Sequence, residues 1–179
     1  IVEYLIMIAP GKKNNICDVD EILIGNASDS QSLTGITVIL PSKRVVAAVD
    51  IRGGAPGSRE TELLNPINSV SKIDALVFSG GSAFGLEGAS VVTKWLASQG
   101  KGFMVDGVNI PIVPSAIIFD FPITKHRNWE KDTPFKSLAI EACKSANNDT
   151  LLGNIGAGIG ATAGSLKGGL GSASYVTSD

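Results

Sequence analysis

A single histidine, His126, is all the chain contains. A histidine-based zinc site or an ordinary Ser-His-Asp triad has almost nothing to work with. Cysteine is almost as scarce. Cys17 and Cys143 stand far apart in sequence, which leaves one disulfide open but provides no framework and no metal-ligand cluster. Charge is thin as well: Asp, Glu, Lys and Arg make up 18% of the residues, against roughly 25% in soluble domains. Fifteen basic residues face seventeen acidic ones, a net charge of −2. That balance excludes a nucleic-acid binder driven by phosphate neutralisation, which needs a basic stripe. No basic amphipathic segment points to a membrane surface. The apolar runs are short and broken by Gly or Pro, so none spans a bilayer. The apolar start, Ile1–Ala9, contains Glu3 and no positive leader, which makes it a poor signal peptide. Because it opens on Ile, earlier residues of the gene product are expected to precede it. If the chain serves an enzyme, acid–base chemistry must come from Lys, carboxylates, Tyr or an α-amino group.

What is abundant is glycine, with 21 residues, 8 of them in the last 29 positions. Hydrophobic residues are interleaved with them, so this is backbone that turns sharply or approaches something closely. The 179 residues suit one domain over 1–179, or a large piece of a bigger one. The β-branched runs 36–40 (ITVIL) and 44–51 (RVVAAVDI), separated by Pro41-Ser42-Lys43, read as a hairpin in a sheet covered on both faces, or on one face plus an interface. Residues 75–78 (ALVF) predict a short buried strand. A helix follows, with Ser82 as N-cap, Gly100 as the terminating glycine, and Leu86, Ala89, Val92 and Leu96 on one face. Val91 and Trp95 widen that face, and Lys94 and Gln99 are left for solvent. Extended pieces are expected around 102–105, 110–113 and 116–119, then an exposed polar loop over 121–132. A second helix starts with Thr133 as N-cap and Pro134 at its first position. It buries Phe135, Leu138, Ala139, Ala142 and Ala146 and stops by Asn147-Asn148-Asp149. A glycine-rich loop and a strand-like end complete a layered α+β order.

Four places carry candidate chemistry. Gly156, Gly158 and Ala161 match G-x-G-x-x-G/A, but that pattern needs a helix behind it to aim at a pyrophosphate. Here three more glycines follow, each costing a helix about 1 kcal/mol relative to alanine, and a dinucleotide-binding reading is rejected. Lys167, ahead of Gly168-Gly169, is either a solvated surface lysine or a partly desolvated proton-transfer group with no bulky neighbours. His126, between Lys125 and Arg127, reads as a surface histidine. Asp50 and Arg52 read as a local pair at a structural turn.

Six segments, in order, resemble one family: ILIGNASD (22–29), DIRGGAPGSRETELLNP (50–66), ALVFSGGSAFGLEGA (75–89), PIVPSAIIFD (111–120), GNIGAGIGATAG (153–164) and KGGLGSAS (167–174). The family is that of the self-cleaving N-terminal-nucleophile amidohydrolases, which includes L-aminopeptidase/D-esterase enzymes, β-peptidyl aminopeptidases and nylon-oligomer endo-hydrolases. The resemblance runs from about residue 16 to the end and is strongest to the nylon-oligomer-hydrolase-like branch. It implies a four-layer αββα sandwich. It also implies a precursor that cuts itself, so that a Ser or Thr at the new N-terminus of a β chain becomes the nucleophile. No residue here matches that nucleophile, so the chain resembles the α subunit, inactive without its β chain.

By the same resemblance, Lys167 assists proton transfer. Gly80, Gly81 and Ser82 are expected near the substrate pocket, where a glycine pair entering a helix offers free N–H donors. A site tyrosine of the family falls near the start of the second helix, where this chain has Phe135, and the oxyanion-hole asparagine falls beyond Asp179. The resemblance implies no cofactor and no metal, a small peptide or amide substrate, cytoplasmic location, and a homo-oligomer of αβ units. Uncovered sheet edges and an uncovered apolar face in an isolated α piece favour the same partners. Two other readings stand beside it: a non-catalytic module whose 153–164 loop holds an anionic ligand, and an inactive structural relative.

Overall fold

A computed structural model describes residues 8–126 and 128–177. Ile1–Met7, Arg127, Ser178 and Asp179 lie outside the described residues, and with them most of the apolar start and the chain's last two positions. The central element is a five-stranded sheet. Its strands are β2 (Ile22–Asp29), β3 (Thr34–Pro41), β4 (Ser58–Arg59), β5 (Leu76–Ser79) and β8 (Ser115–Ile117). They lie side by side in the order β2-β3-β5-β8-β4, with β5 and β8 parallel and the other pairs antiparallel. Two helices, α1 (Glu87–Ser98) and α2 (Phe135–Ser145), pack on each other and on β2, β3 and β5. Three two-stranded ribbons complete the set. They pair β1 (Ile8–Pro10) with β11 (Tyr175–Thr177), β6 (Phe103–Val105) with β7 (Val108–Ile110), and β9 (Thr162–Ala163) with β10 (Leu166–Lys167).

Register sorts the side chains. Ala27 lies opposite Ile36 and Gly25 opposite Val38, while Val38 lies opposite Val77. In a pleated sheet directly opposed residues share a face, so these line the helix side. There they meet Ala89, Val92, Leu96, Phe135, Leu138, Ala139 and Ala142 in one buried cluster. Each fully buried large apolar side chain of this kind stabilises by about 1.5–3 kcal/mol. Gly25 is required by the same packing, since a β-carbon there would collide with the Ala142 carbonyl. The opposite face carries Asn26 opposite Thr37 and Ser28 opposite Gly35, and the glycine-rich turn at 156–158 settles on that polar patch. Around it, Ile22, Ile39, Leu76, Phe78 and Ala116 remain only half-buried.

The expected hairpin is displaced. Residues 36–40 do form a strand, but they pair with β2 rather than with 44–51. The 44–51 segment is irregular apart from one bridge between Val45 and Ile73, and Val46, Val49 and Ile51 are exposed. β-branched composition suits a strand only where a partner backbone is at hand. The turn that makes the true hairpin is 30–33, where the Asp29 carboxyl accepts the N–H groups of Gln31 and Ser32 and Leu33 takes φ 58°.

Both helix starts also differ from expectation. Ser82 is not an N-cap. It takes φ 53° and opens a 3₁₀ turn, Ser82–Leu86, that leads into α1. Pro134 occupies the cap position of α2, with no side-chain cap, and the Thr133 hydroxyl instead donates to Glu87 on α1. Among the described residues no helix is long and apolar enough to cross a membrane.

Candidate active site

β5 ends in Ser79, and the chain then turns through Gly80-Gly81-Ser82 before the 3₁₀ turn. Gly81 needs its glycine twice over. Its φ is 78°, a left-handed value that L side chains resist, and a β-carbon would strike the ring of Phe135. The three N–H groups of this turn are not free. Gly80 N–H donates to Gly35 O at 2.8 Å and Ser82 N–H to Ile118 O at 3.2 Å. Gly81 N–H donates to Asp120 Oδ1 at 2.9 Å. The expectation of open donors at this helix entrance is thereby corrected: neighbouring backbone and a buried carboxyl already hold them.

Phe135 is fully buried beneath the turn, in edge-on contact with Trp129 at 5.5 Å between centroids. Trp129 in turn meets Phe84 at 5.8 Å and Phe121 at 5.7 Å, both edge-on. Phe84, Phe121, Trp129 and Glu130 line a pocket of about 350 Å³. Edge-to-face aromatic pairs add about 0.5–1.5 kcal/mol each beyond the area they bury, so this wall is stiff. A second, larger groove of about 510 Å³ runs between 48–51 and 61–68, on the irregular segment.

The 153–164 segment approaches from the far side of the sheet. Gly156 N–H donates to Ser28 Oγ at 2.7 Å, and Ala157 N–H to Thr37 Oγ1 at 3.0 Å. The Thr37 hydroxyl in turn donates a hydrogen bond to Asn26 Oδ1 at 2.6 Å. The N–H groups of Gly158, Ile159 and Ala161 are bonded to Ile155, Gly156 and Gly158 carbonyls within the turn. These five donors are therefore occupied by the protein. A ribbon, not a helix, follows the turn, in agreement with the rejection of a dinucleotide fingerprint. The glycines serve close approach instead: a β-carbon at Gly35 would collide with the Gly156 carbonyl, and one at Gly156 with Asn26 and Thr37.

Lys167 lies on β10, largely exposed. Its Nζ donates to the carbonyls of Gly158 (3.1 Å), Ala161 (3.2 Å) and Gly168 (2.6 Å). An ammonium has three hydrogens, and all three are matched here by backbone oxygens, two from the 156–161 turn and one from Gly168. That turn also packs on Asp120, because a β-carbon at Gly160 would overlap the Asp120 side chain. Lys167 is thus tied to the Gly80-Gly81-Ser82 turn through two intermediates, the 156–161 backbone and Asp120.

His126 is exposed. It adds to the lowering of the Asp29 carboxyl, where burial pushes up but hydrogen bonds from Ser32 and Gln31 outweigh it. Arg52 and Asp50 form the expected local pair at 2.7 Å, on the surface. Asp120, Thr34, Trp129 and the Asn26-Ser28-Thr37 patch were not singled out from sequence. An isolated acid closing the apolar run Ala116–Phe119 was the available signal for Asp120.

Comparison with known proteins adds the following. An uncharacterised aminopeptidase of Mycobacterium tuberculosis is 45% identical over 169 residues, covering 90% of this chain and 48% of the relative. One from Mycobacterium leprae is 40% identical over 185 residues, covering 96% and 50%. The chain spans about half the length of these relatives. Among solved structures, the L-aminopeptidase D-Ala-esterase/amidase of Ochrobactrum anthropi, described as a variant of the Ntn hydrolase fold, superposes with a TM-score of 0.65. It is 17% identical, over 85% of this chain and 45% of that one. A Pyrococcus horikoshii protein gives 0.67 at 20% identity, over 86% and 46%. A Burkholderia β-aminopeptidase gives 0.60 at 16% identity, over 86% and 44%. These likenesses establish the mixed α/β fold. The family model of peptidase family S58 matches residues 14–179, nearly the whole chain, and the chain belongs to that family.

Proposed function

We propose that this chain is the α part of an amide- or peptide-bond hydrolase that a longer precursor produces by cutting itself. The N-terminal Ser or Thr of the companion β chain attacks the substrate carbonyl carbon. The hydroxyl proton leaves to the freed α-amino group, the amine departs with a proton, and water releases the acyl group. Lys167 stands at this centre as the cation that assists proton transfer, one carbonyl contact giving way as the substrate arrives. The Gly80-Gly81-Ser82 turn, braced from below by Phe135, forms the pocket wall on the side of the aromatic pocket.

One observation carries this reading: the turn that clamps Lys167 is packed, through Asp120, onto the Gly80-Gly81-Ser82 turn. Two segments more than 70 residues apart converge there. The half-buried apolar row Ile22, Ile39, Leu76, Phe78 and Ala116 supports a second sheet from the β chain as its cover, which gives the four-layer sandwich. It also supports 1–179 as one part of a single αβ domain. The names of the relatives favour an aminopeptidase; α-peptides, β-peptides, D-esters and oligoamides remain the substrate classes to compare. Homo-oligomerisation of αβ units and a cytoplasmic location belong to the same reading.

The test is N-terminal sequencing of every polypeptide in the purified product of the full gene, with amide turnover measured on the same material. The expected result is two chains, one beginning with Ser or Thr, and Lys167→Ala slowing self-cleavage or turnover by roughly 10²-fold or more. An intact active chain, or undiminished Lys167→Ala, overturns the proposal.

A further inference from the structure

Asp120 closes the segment 111–120 and is fully buried, with 0% exposure. Its two carboxyl oxygens hold different elements. Oδ2 accepts the Thr34 hydroxyl, at the start of β3, at 2.6 Å. Oδ1 accepts the Gly81 N–H at 2.9 Å. On a third side Gly160 is pressed against it: a β-carbon there would sit 2.7 Å from the Asp120 β-carbon and 2.9 Å from Oδ2. Gly80 is crowded in the same way by Oδ2 and by the Thr34 hydroxyl. The backbone that carries the carboxyl is itself fixed, because the Asp120 carbonyl accepts the N–H groups of Ile123 (3.1 Å) and Thr124 (3.0 Å). The Thr124 hydroxyl donates to it as well, at 2.9 Å.

Burying a carboxyl is costly unless each oxygen is hydrogen-bonded, and filling such a site with apolar groups is often neutral or stabilising. The carboxyl does something an apolar residue cannot. It holds the Gly81 backbone by a directional bond, while the Asp120 Cβ and Oδ2 form the surface on which Gly160 rests, where no side chain could be accommodated. We propose that Asp120 is a positioning residue that sets the spacing between the Gly80-Gly81-Ser82 turn and the 156–161 turn on which Lys167 is clamped. This rests on the reading above that both turns border the reacting centre. A displacement of about 1 Å between reacting groups costs on the order of 10²-fold in rate, so a single carboxyl at this junction has leverage on turnover without touching substrate.

The experiment uses the full gene product, with Asp120→Ala, Asp120→Asn, Thr34→Val and Lys167→Ala side by side. Asn keeps an oxygen for Gly81 N–H and offers its amide N–H₂ to the Thr34 oxygen; Ala removes both bonds. Three quantities are read: kcat and KM per folded molecule, self-cleavage rate, and hydrogen exchange in peptides covering 79–84 and 156–161. Asp120→Ala is expected to lower kcat by about tenfold or more with KM changed less than about twofold, and to speed exchange in both peptides. Asp120→Asn recovers kcat to within about threefold and restores protection at both turns. Thr34→Val falls between them and carries the comparison if Asp120→Ala does not fold.

Wild-type kcat in folded Asp120→Ala overturns the proposal, as does faster exchange confined to one turn. Asp120→Asn as slow as Asp120→Ala overturns it too, since charge and not spacing would then matter. If the wild type lacks amide turnover, or Lys167→Ala is silent, the functional reading fails separately. The exchange data then still decide whether Asp120 couples the two turns.

Discussion

The far edge of the Phe135 ring lies directly under Gly81, close enough that no side chain can be placed on that residue without collision. A backbone turn and an aromatic core residue are thereby fitted to each other. Phe135 needs Gly81 as much as Gly81, at φ 78°, needs to be glycine.

Gly81→Ala should therefore lower stability by about 2–5 kcal/mol, the sum of left-handed strain and overpacking. In guanidinium titration the midpoint should fall while the slope stays constant. A loss below about 0.5 kcal/mol would show that the ring moves aside freely.

Thr37 is the pin between sheet and glycine-rich turn. Its hydroxyl accepts from Ala157 N–H and donates to Asn26, and it is buried. Thr37→Val keeps the shape but strands a buried donor, at a cost of about 1–3 kcal/mol. Thr37→Ser should recover most of it. Exchange of the Ala157 amide reads the difference, and equal behaviour of the two variants would dismiss the pin.

Asp18 fastens the chain's end to its beginning. Its carboxyl accepts from the Ser174 hydroxyl at 2.5 Å and from the N–H groups of Lys13 and Asn15. These bonds, that from Ser174 first, hold it below the ordinary value of 3.8. A carboxyl depressed in the folded state stabilises fully above its unfolded value, and the contribution vanishes as pH falls through the folded one. Limited proteolysis near residues 172–177 should accelerate below about pH 4, and Asp18→Asn should flatten that pH dependence. An unchanged acid profile in the variant would count against the contact.

Burial pushes the Cys143 thiol up to about 12 and raises Cys17 as well. The reactive species is the thiolate, so native protein at pH 8 should react with a thiol reagent far more slowly than the denatured chain. Rapid labelling of Cys143 in the native state would mean that α2 opens locally.

The helices were legible because their apolar residues recur at helical spacing; Ala89, Val92, Leu96, Leu138 and Ala142 face the core as the pattern requires. β2 was hard to see because Asn26 and Ser28 look like loop residues. Only the arriving 156–158 turn, about 130 residues later, gives them a reason to sit in a strand. The 44–51 run misled for the opposite reason, having strand-like side chains but no adjacent backbone to pair with. The β6–β7 ribbon carried a plain signal in Asp106-Gly107, both at positive φ, which suits a tight two-residue turn.

Of the candidate site, Lys167 and the glycine turns rest on the motif resemblance. Their linkage through Asp120 does not, because hydrogen bonds spanning 39 and 86 positions leave no trace in local spacing. The starts of the two helices differ from expectation because a left-handed Ser82 and an uncapped Pro134 follow from tertiary contacts, not from propensity.

The β6–β7 ribbon displays Phe103, Met104, Val105, Val108 and Ile110 to water, and among the described residues no third strand pairs with it. Such a tongue is a template for cross-chain pairing, and a net charge of only −2 offers weak colloidal repulsion. Concentrated solutions of these 179 residues by themselves should turn cloudy, sooner at high salt than at low, and substituting Val108 by Lys should keep them clear.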